Sequence, residues 1–458
     1  MSSYLDGRGV FEKLFSAHLD EWDCYQGREL SFLFGLVDAR AIVLGTRLGV
    51  PFLYSVTSIV AILVAAALLW RLIPRIATRL SVTDAGLIVS LMLATPPVAL
   101  SSYYYRPSKA LVAALLVMVS WQIFRLTAGA KDRSAVSDAA LVFVCATLMG
   151  LSDREGVFLV VVAIVVVAGL SDLRARSVRL ALSGLLLALA VNAFWSFAIG
   201  PRLSQIADGF APDTVTQRVP LGYTFANAHN YASALSLWIN DIGYFFGGSG
   251  AIGGVACLIL TGVAYWMRPR QSPQRTLIQT HRPFLVLLVV SGMLLALYTA
   301  MYAKLTSIVW PESRLVYYWI PGMVIIAIVA AGACDSAFAI SSRFRTPATL
   351  LLGVMMCTSI LALPRDEDVV RNGEQRVVIE ESGLVRDCMR SAATPIAGYH
   401  LTAEGAQACS SVRFAAFGSA GPGPAVKAPA PNPLLYCRRA RSITGARRAQ
   451  PALRSLGP

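Results

Sequence analysis

The sequence has too little charge for a soluble enzyme, and its histidines and cysteines lack the spacing of a metal site. Only 14% of its 458 residues are charged, whereas a soluble globular protein has about 25%. The four histidines are dispersed and the eight cysteines form no C-x-x-C pair, which argues against a zinc site built on them. The N-terminus also lacks the short apolar region of a secretory signal peptide.

Long apolar stretches take the place of the missing charge. Hydrophobic residues make up 56% of the chain, and charge-free apolar runs recur between Val50 and Leu363. A membrane-spanning helix needs about 20 apolar residues. The sequence therefore predicts an all-α, polytopic transmembrane helical bundle of about ten spans. The predicted spans are 49–70, 82–101, 110–124, 136–151, 156–171, 180–199, 249–267, 283–303, 315–333 and 347–363.

The positive charge is divided unevenly between the loops that join these spans. Five alternate loops contain 15 Lys and Arg in 58 residues, and the four opposite loops contain seven in 72. Lys and Arg accumulate in cytoplasmic loops, so the first set is predicted to be cytoplasmic and the second to lie outside. The net charge of +14 is thus an orientation signal, and no nucleic-acid partner is expected. The cytoplasmic loops are 71–81, 125–135, 172–179, 268–282 and 334–346; the outer loops are 102–109, 152–155, 200–248 and 304–314.

This topology divides the chain into four parts. Residues 1–48 form an outer acidic N-terminal segment, and 49–364 form the transmembrane helical domain. Residues 365–409 form a small outer-side segment of mixed charge. Residues 410–458 have eight Lys and Arg, no acid and many Ala, Pro and Gly, a composition that predicts a disordered tail. An outer segment of 1–48 has no span before it, so we expect a first helix upstream of this sequence; the alternative is that the segment lies on the membrane surface.

The densest group of acids, Asp20, Glu21 and Asp23, lies in this N-terminal segment beside Trp22 and Tyr25. Crowded carboxylates raise one another's pKa, which helps one of them to act as a general base, and such a group also suits a divalent metal. The alternative is a solvated acidic face. No predicted span has a charge near its middle, which argues against an ion-coupled carrier.

Two outer loops have cations at the predicted membrane surface. Arg106 follows three tyrosines and precedes Pro107, and Arg154 lies in the very short turn 152–155. Either arginine suits the phosphate of a lipid-linked substrate. The alternatives are an aromatic belt with snorkelling cations around Arg106 and an ordinary charged hairpin at Arg154.

The order of these features resembles the GT-C superfamily of integral-membrane glycosyltransferases, especially the bacterial branch related to protein mannosyltransferases and aminoarabinose transferases. The acidic pair in DEWDCY, the basic turn in LLWRLIPRIATRL, the stretch SSYYYRPSKALVAALL, the turn GLSDREG and the late stretch WPESRLVYYWIPG resemble that family's motifs in the family's order. The resemblance covers about residues 18–335. The chain departs from the family in lacking a helix before the acidic pair, and in having Arg154 where relatives often have lysine.

The resemblance implies a multi-pass enzyme of the bacterial inner membrane that transfers a sugar from a polyprenyl-phosphate carrier to a glycan, lipid or protein outside. Asp20 is the expected base, and Glu21 or Asp23 positions the acceptor or a metal ion. Arg154 is the first choice for the lipid phosphate, with Arg106 and Arg314 in support. The alternatives are a flippase or exporter of lipid-linked glycans, which has no use for the outer acids, and a truncated, non-catalytic membrane protein.

Overall fold

A computed structural model describes most of the helical part of the chain. The described residues are 9–15, 24–25, 27–47, 55–99, 101, 107–128, 132–208, 213–214, 232, 235–236, 239, 250–266, 277–306 and 319–370. Within them the regular structure is helical apart from one parallel pair of two-residue strands. The predicted all-α fold is confirmed.

The helices follow one another with short connections over most of the described chain. The elements are α1 (Val10–Phe15), β1 (Cys24–Tyr25), α2 (Glu29–Arg47), α3 (Val56–Ile76), α4 (Val82–Ala94), α5 (Pro96–Ala99), α6 (Ser108–Thr127), α7 (Asp132–Ser152), α8 (Arg154–Leu170), α9 (Arg176–Phe194), a π-helical segment (Trp195–Ile199), α10 (Gly200–Asp208), β2 (Asp213–Thr214), α11 (Gly250–Trp266), α12 (Leu277–Thr306), α13 (Ile320–Ile340), a 3-10 turn (Ser342–Phe344) and α14 (Arg345–Val370).

Each of the ten predicted spans overlaps one of these helices, but fewer helices are long and apolar enough to cross a membrane. Five segments of the described chain meet that description: Val56–Ile76, Ser108–Thr127, Ala135–Ser152, Arg176–Ala207 and Ile320–Ile340. Three shorter apolar helices accompany them, at Val82–Ala94, Pro283–Leu297 and Arg345–Leu361. The chain thus has the apolar helices of a membrane protein, and the count of ten spans is not confirmed.

The first predicted span is displaced along the chain, for a local reason. Helix α3 begins at Val56 because the Ser55 side chain accepts a hydrogen bond from the backbone N–H of Ser58, which caps the first turn. The helix then continues through Arg71 and Pro74 to Ile76. Hydrophobicity alone predicts this span at 49–70, because it takes no account of the capping residue or of the polar residues in the final turn.

Short turns give the helix bundle two distinct ends. Helices α3, α6 and α8 begin at one end, and α7 and α9 finish there, because consecutive helices joined by short turns run in opposite directions. The end at which α6 begins is called the Lys109 end, and the opposite end, where α3 finishes, is called the Arg79 end. Helix α6 packs against α3 and α7, and α9 packs against α7 and α8, so the buried apolar residues form one continuous core.

Long-range ion pairs join groups at the same end of the bundle. At the Arg79 end, Arg79 Nη1 lies 3.3 Å from Asp335 Oδ2, and Arg345 Nη2 lies 3.6 Å from Asp84 Oδ2. Arg79 and Arg345 belong to two loops that the charge pattern assigns to the cytoplasmic side, more than 250 residues apart in sequence. The packing therefore agrees with the predicted grouping of these loops.

The predicted terminal segments are only partly described. Segment 1–48 contains α1 and α2, two helices that the sequence analysis did not predict. The predicted outer-side segment 365–409 begins inside α14, which continues to Val370. The rest of that segment and the predicted disordered tail, 410–458, lie outside the described residues.

Candidate functional site

A buried cluster of charged side chains lies at the Lys109 end, one residue inside the start of α6. The Lys109 ammonium is 2.9 Å from Asp153 Oδ1 and 2.7 Å from Glu155 Oε2, and only 1% of the lysine is exposed. A buried ammonium is strongly disfavoured unless it is paired and hydrogen-bonded. The two carboxylates supply that pairing and fix the turn between α7 and α8 against the start of α6.

A second cation reaches the same cluster from the N-terminal part of the chain. Arg28, the residue before α2, places Nε 3.5 Å from Asp153 Oδ2. Burial alone would raise the pKa of Asp153, but the charges of Lys109 and Arg28, with a hydrogen bond from the backbone N–H of Glu155, hold that pKa well below its usual value. Asp153 is therefore ionised at neutral pH.

The turn that presents these acids is built by a helix cap. Asp153 is the N-cap of α8, and its Oδ1 accepts a hydrogen bond of 3.0 Å from the backbone N–H of Glu155. Ser152 closes the preceding helix by donating its hydroxyl to the carbonyl of Leu148. The sequence S-D-R-E thus ends one helix and starts the next within a single residue, which makes the turn tight.

Two glycines flank the turn because nothing larger fits. A Cβ on Gly156 would collide with the carbonyl oxygen of Met149, and a Cβ on Gly150 would collide with the side-chain amide of Asn192. Asn192 is buried in α9 and donates to the carbonyl of Ala146. The glycines therefore allow α8 and α9 to approach the last turns of α7.

Arg154 is the first residue of α8 and is partly exposed between the two buried acids. The first turn of a helix favours anions, because its backbone N–H groups and the helix dipole point toward the N-terminus. Lys109 and Arg28 already lie against Asp153, and Lys109 also pairs with Glu155. The turn thus places a partly exposed cation, Arg154, between two buried carboxylates that Lys109 contacts.

The chain just after the predicted acidic cluster also belongs to the Lys109 end. Glu29 is buried and accepts a hydrogen bond of 3.0 Å from the indole N–H of Trp195, where α9 finishes. Cys24 and Tyr25, which follow Asp23 in sequence, pair in parallel with Asp213 and Thr214 from the predicted outer loop 200–248. Together with Lys109 of the loop 102–109 and the turn 152–155, four predicted outer segments therefore meet at this end.

An apolar cavity of about 370 Å³ lies along the same helix that begins at Arg154, in the half of the bundle toward the Arg79 end, where its lining includes Ile76, Thr127 and Ser171. Its α8 lining begins at Leu159, which is about 8 Å from Arg154 along the helix axis. Ser120 and Thr127 also line the cavity. Their hydroxyls donate to backbone carbonyls of their own helix, so they offer no hydrogen to a molecule in the cavity. Five helices line the cavity: α3, α6, α8, α12 and α13 contribute, for example, Leu72, Leu116, Val166, Pro283 and Ile325 in that order.

Of the predicted site residues, the structure describes only Arg154. Asp20, Glu21, Asp23, Arg106 and Arg314 lie outside the described residues. Within the described ranges, no group of three or more His, Cys, Asp or Glu side chains is arranged to hold a metal ion.

The sequence analysis missed the most deeply buried part of this site, Lys109 and its partners. The signal was present in the sequence: Lys109 is the only charge in the first 17 residues of α6, and the turn at 152–155 has two acids. A cation just inside an apolar helix requires a nearby anion. The sequence does not reveal the ion pair between Lys109 and Glu155, because the two residues are 46 positions apart.

Comparison with known proteins gives this chain no relatives: no protein-family model, no curated protein and no solved structure matches it.

Proposed function

We propose that the chain is a membrane glycosyltransferase of the GT-C type that uses a polyprenyl-phosphate sugar donor. The acceptor is a glycan, lipid or protein on the outer side of the bacterial inner membrane. The resemblance of its ordered motifs to that superfamily is the starting point for the proposal. The geometry at the Lys109 end adds an argument that does not depend on the resemblance.

One observation carries the proposal: the charged turn at Arg154 and the apolar cavity lie along the same helix, α8. A polyprenyl phosphate has an anionic head joined directly to a long apolar chain. A partly exposed arginine at a helix N-terminus suits the head. A cavity that begins about 8 Å further along the helix suits the chain.

In the proposed reaction, Asp20 takes the proton from the acceptor hydroxyl as the hydroxyl oxygen attacks the anomeric carbon. The bond between that carbon and the phosphate oxygen breaks, and its electron pair leaves with the polyprenyl phosphate. The leaving group is already anionic, so it needs stabilisation by cations more than it needs a proton. Arg154 supplies this charge, with Arg106 and Arg314 in support, and Glu21 or Asp23 orients the acceptor or a divalent metal ion.

Described residues that are close in sequence to Asp23 and to Arg106 contact the turn that presents Arg154. Asp23 is five residues before Arg28, which contacts Asp153, the neighbour of Arg154. Arg106 is three residues before Lys109, which contacts the same Asp153. On the strength of these short connections, the proposal assigns Asp23 and Arg106 to the neighbourhood of this turn.

Binding of polyprenyl phosphate tests the proposed head-group contact. The protein in lipid nanodiscs is titrated with undecaprenyl phosphate, and bound lipid is counted by native mass spectrometry. Arg154→Ala should weaken binding by about 2–5 kcal/mol, as when one partner of a buried charge pair is removed. Arg154→Lys should recover part of this loss, because it restores the charge without the planar geometry.

Arg174→Ala is the matched control, because Arg174 is an exposed arginine in a loop at the Arg79 end. Its binding should equal that of the unmodified protein. Equal affinity in the Arg154→Ala and Arg174→Ala proteins would contradict the role of Arg154. A flippase of lipid-linked glycans would also bind undecaprenyl phosphate through Arg154. Turnover of the sugar donor, rather than its binding, therefore distinguishes a glycosyltransferase from a flippase.

A further inference from the structure

Trp195 is the first residue of the π-helical segment that follows α9, and its ring is held in a defined orientation. The indole N–H donates a hydrogen bond of 3.0 Å to Oε1 of Glu29, a buried residue. The ring centroid lies 6.4 Å from that of Phe15 in α1, with the two ring planes tilted by 43°. The side chain is partly exposed. Because its polar atom is already bonded, the exposed part of this tryptophan is apolar ring surface.

Trp195 lies on the packed face of α9 and not on its exposed face. Leu185, Ala188 and Asn192 are buried at spacings of three and four residues, which defines the packed face. Trp195 follows Asn192 at a spacing of three and continues this face. Its neighbour Phe194 is 62% exposed and belongs to the opposite side. An aromatic residue that anchors a helix at the lipid interface is expected on the exposed side, so Trp195 does not have the position of a lipid anchor.

The packing of α9 against α7 brings Trp195 level with the end of α7, where the turn that presents Arg154 begins. Asn192 donates to the carbonyl of Ala146, and a Cβ on Gly150 would collide with the side-chain amide of Asn192. Both helices run toward the Lys109 end, and Trp195 lies about one turn further along α9 than Asn192. The indole therefore lies at the height at which α7 finishes.

A second set of contacts connects the indole to the same turn. Glu29, the hydrogen-bond partner of Trp195, directly follows Arg28. Arg28 Nε lies 3.5 Å from Asp153 Oδ2, and Asp153 directly precedes Arg154. The partly exposed indole and the arginine proposed to bind phosphate are thus linked by a hydrogen bond, an ion pair and two steps along the backbone.

We propose that Trp195 stacks on the sugar of the donor, and that it selects a pyranose with an unbroken face of C–H bonds. This inference rests on the proposed function, because it takes the phosphate of the donor to lie at Arg154. The sugar is bonded directly to that phosphate, so its ring lies next to Arg154 and the neighbouring indole. Equatorial hydroxyl groups leave axial C–H bonds on both faces of a pyranose, and these pack on an aromatic ring as apolar groups do.

The contribution of the sugar to binding tests this inference. Each protein in nanodiscs is titrated with undecaprenyl phosphate and, separately, with undecaprenyl phosphate glucose, and bound lipid is counted by native mass spectrometry. The ratio of the two affinities isolates the sugar from the phosphate and the lipid chain. In the Trp195→Leu protein this ratio should fall by about 3- to 10-fold, the range expected for one aromatic contact, and undecaprenyl phosphate should bind as before. Trp195→Phe should keep most of the ratio, because an aromatic ring remains.

Trp70→Leu is the matched control. The Trp70 indole also donates a hydrogen bond, to the backbone carbonyl of Val82, but it lies near the Arg79 end. The affinity ratio of this protein should equal that of the unmodified protein. An equal ratio in the Trp195→Leu and Trp70→Leu proteins, with undecaprenyl phosphate bound normally, would overturn this inference alone. Failure of the unmodified protein to bind undecaprenyl phosphate would overturn the proposed function and this inference with it.

Fluorine NMR gives a second measurement that does not depend on the folding of the Trp195→Leu protein. In the full chain labelled with 5-fluorotryptophan, the Trp195 resonance is the one that is absent from the spectrum of the Trp195→Phe protein. Undecaprenyl phosphate glucose should shift this resonance, and undecaprenyl phosphate should leave it nearly in place. A resonance that both ligands shift equally, or that neither shifts, would overturn the inference.

Discussion

The ammonium group of Lys109 lies 2.7 Å from the carboxylate of Glu155, and both side chains are buried. The pair joins the start of α6 to the start of α8 and leaves Arg154 at the surface of the turn. Since Asp153 and Arg28 belong to the same cluster, the proposed site depends on this ionic contact for its shape.

Removing the Lys109 charge should destabilise the protein strongly. Lys109→Met removes the cation that lies 2.7 Å from the buried carboxylate of Glu155 and one of the cations beside Asp153, so the free energy of unfolding should fall by about 3–5 kcal/mol. The double variant Lys109→Met/Glu155→Leu should recover part of this loss, because it removes both members of one pair. Denaturant unfolding in detergent micelles measures each value.

Arg79→Met is the control for this prediction. Its partner Asp335 is buried, but about half of the arginine is exposed, and such a pair contributes about 0–1 kcal/mol. Equal losses in the Lys109→Met and Arg79→Met proteins would show that the Lys109 cluster is energetically an ordinary surface pair.

Substituting Gly156 should damage the turn without any change of charge. An added methyl group would meet the carbonyl oxygen of Met149, so α8 must move away from α7. We expect Gly156→Ala to lower the free energy of unfolding by about 1–3 kcal/mol or more. Gly292→Ala in α12 has open space around the new methyl and should be neutral or stabilising. A Gly156→Ala protein as stable as the Gly292→Ala protein would contradict the close approach of the two helices.

The low pKa of Asp153 predicts how stability depends on pH. The pKa of this group in the folded protein lies below its unfolded value of 3.8. Its contribution to stability is therefore complete above pH 3.8 and is lost as the pH falls further, because the unfolded state then binds the proton first. The difference in unfolding midpoint between the unmodified and Asp153→Asn proteins should be constant from pH 7 to about pH 5 and shrink below pH 3.8. A difference that grows on acidification would be contrary to this assignment.

Reporter fusions test the predicted sidedness of the loops. A reporter active only outside the cytoplasm should be active when fused after Arg365 and silent after Gln274, because alternation places these positions on opposite sides. The reverse pattern would place the Lys109 end in the cytoplasm. It would also remove the basis for an outer-face reaction.

The sequence was sufficient to predict the helices of the bundle, because each predicted span is an apolar run that overlaps an observed helix. It was insufficient for α2, whose pattern is interrupted by Asp38. That carboxylate is buried because it binds the first turn of α3, 17–19 residues away, and no local pattern reveals such a partner. Burial raises the pKa of Asp38 despite these hydrogen bonds.

The candidate site was also only partly predictable from the sequence. The turn around Arg154 was recognisable because only four polar residues, 152–155, separate two apolar runs there. Lys109 was not recognised, because its role depends on a contact across 46 residues. In both α2 and the site, the residues that escaped prediction are buried charges whose partners are distant in sequence.

The most direct test of the account is sugar transfer by the Asp20→Asn protein. The unmodified protein is incubated with labelled polyprenyl-phosphate sugars, and released polyprenyl phosphate is measured together with the labelled acceptor. Asn keeps the shape of Asp20 and removes its basicity, so loss of the general base should lower the rate by about 10²–10⁴-fold. Binding of undecaprenyl phosphate should be unchanged, and Asp23→Asn should have a smaller effect. Normal transfer by the Asp20→Asn protein, or equal mild losses in both variants, would contradict the proposed role of the acidic segment.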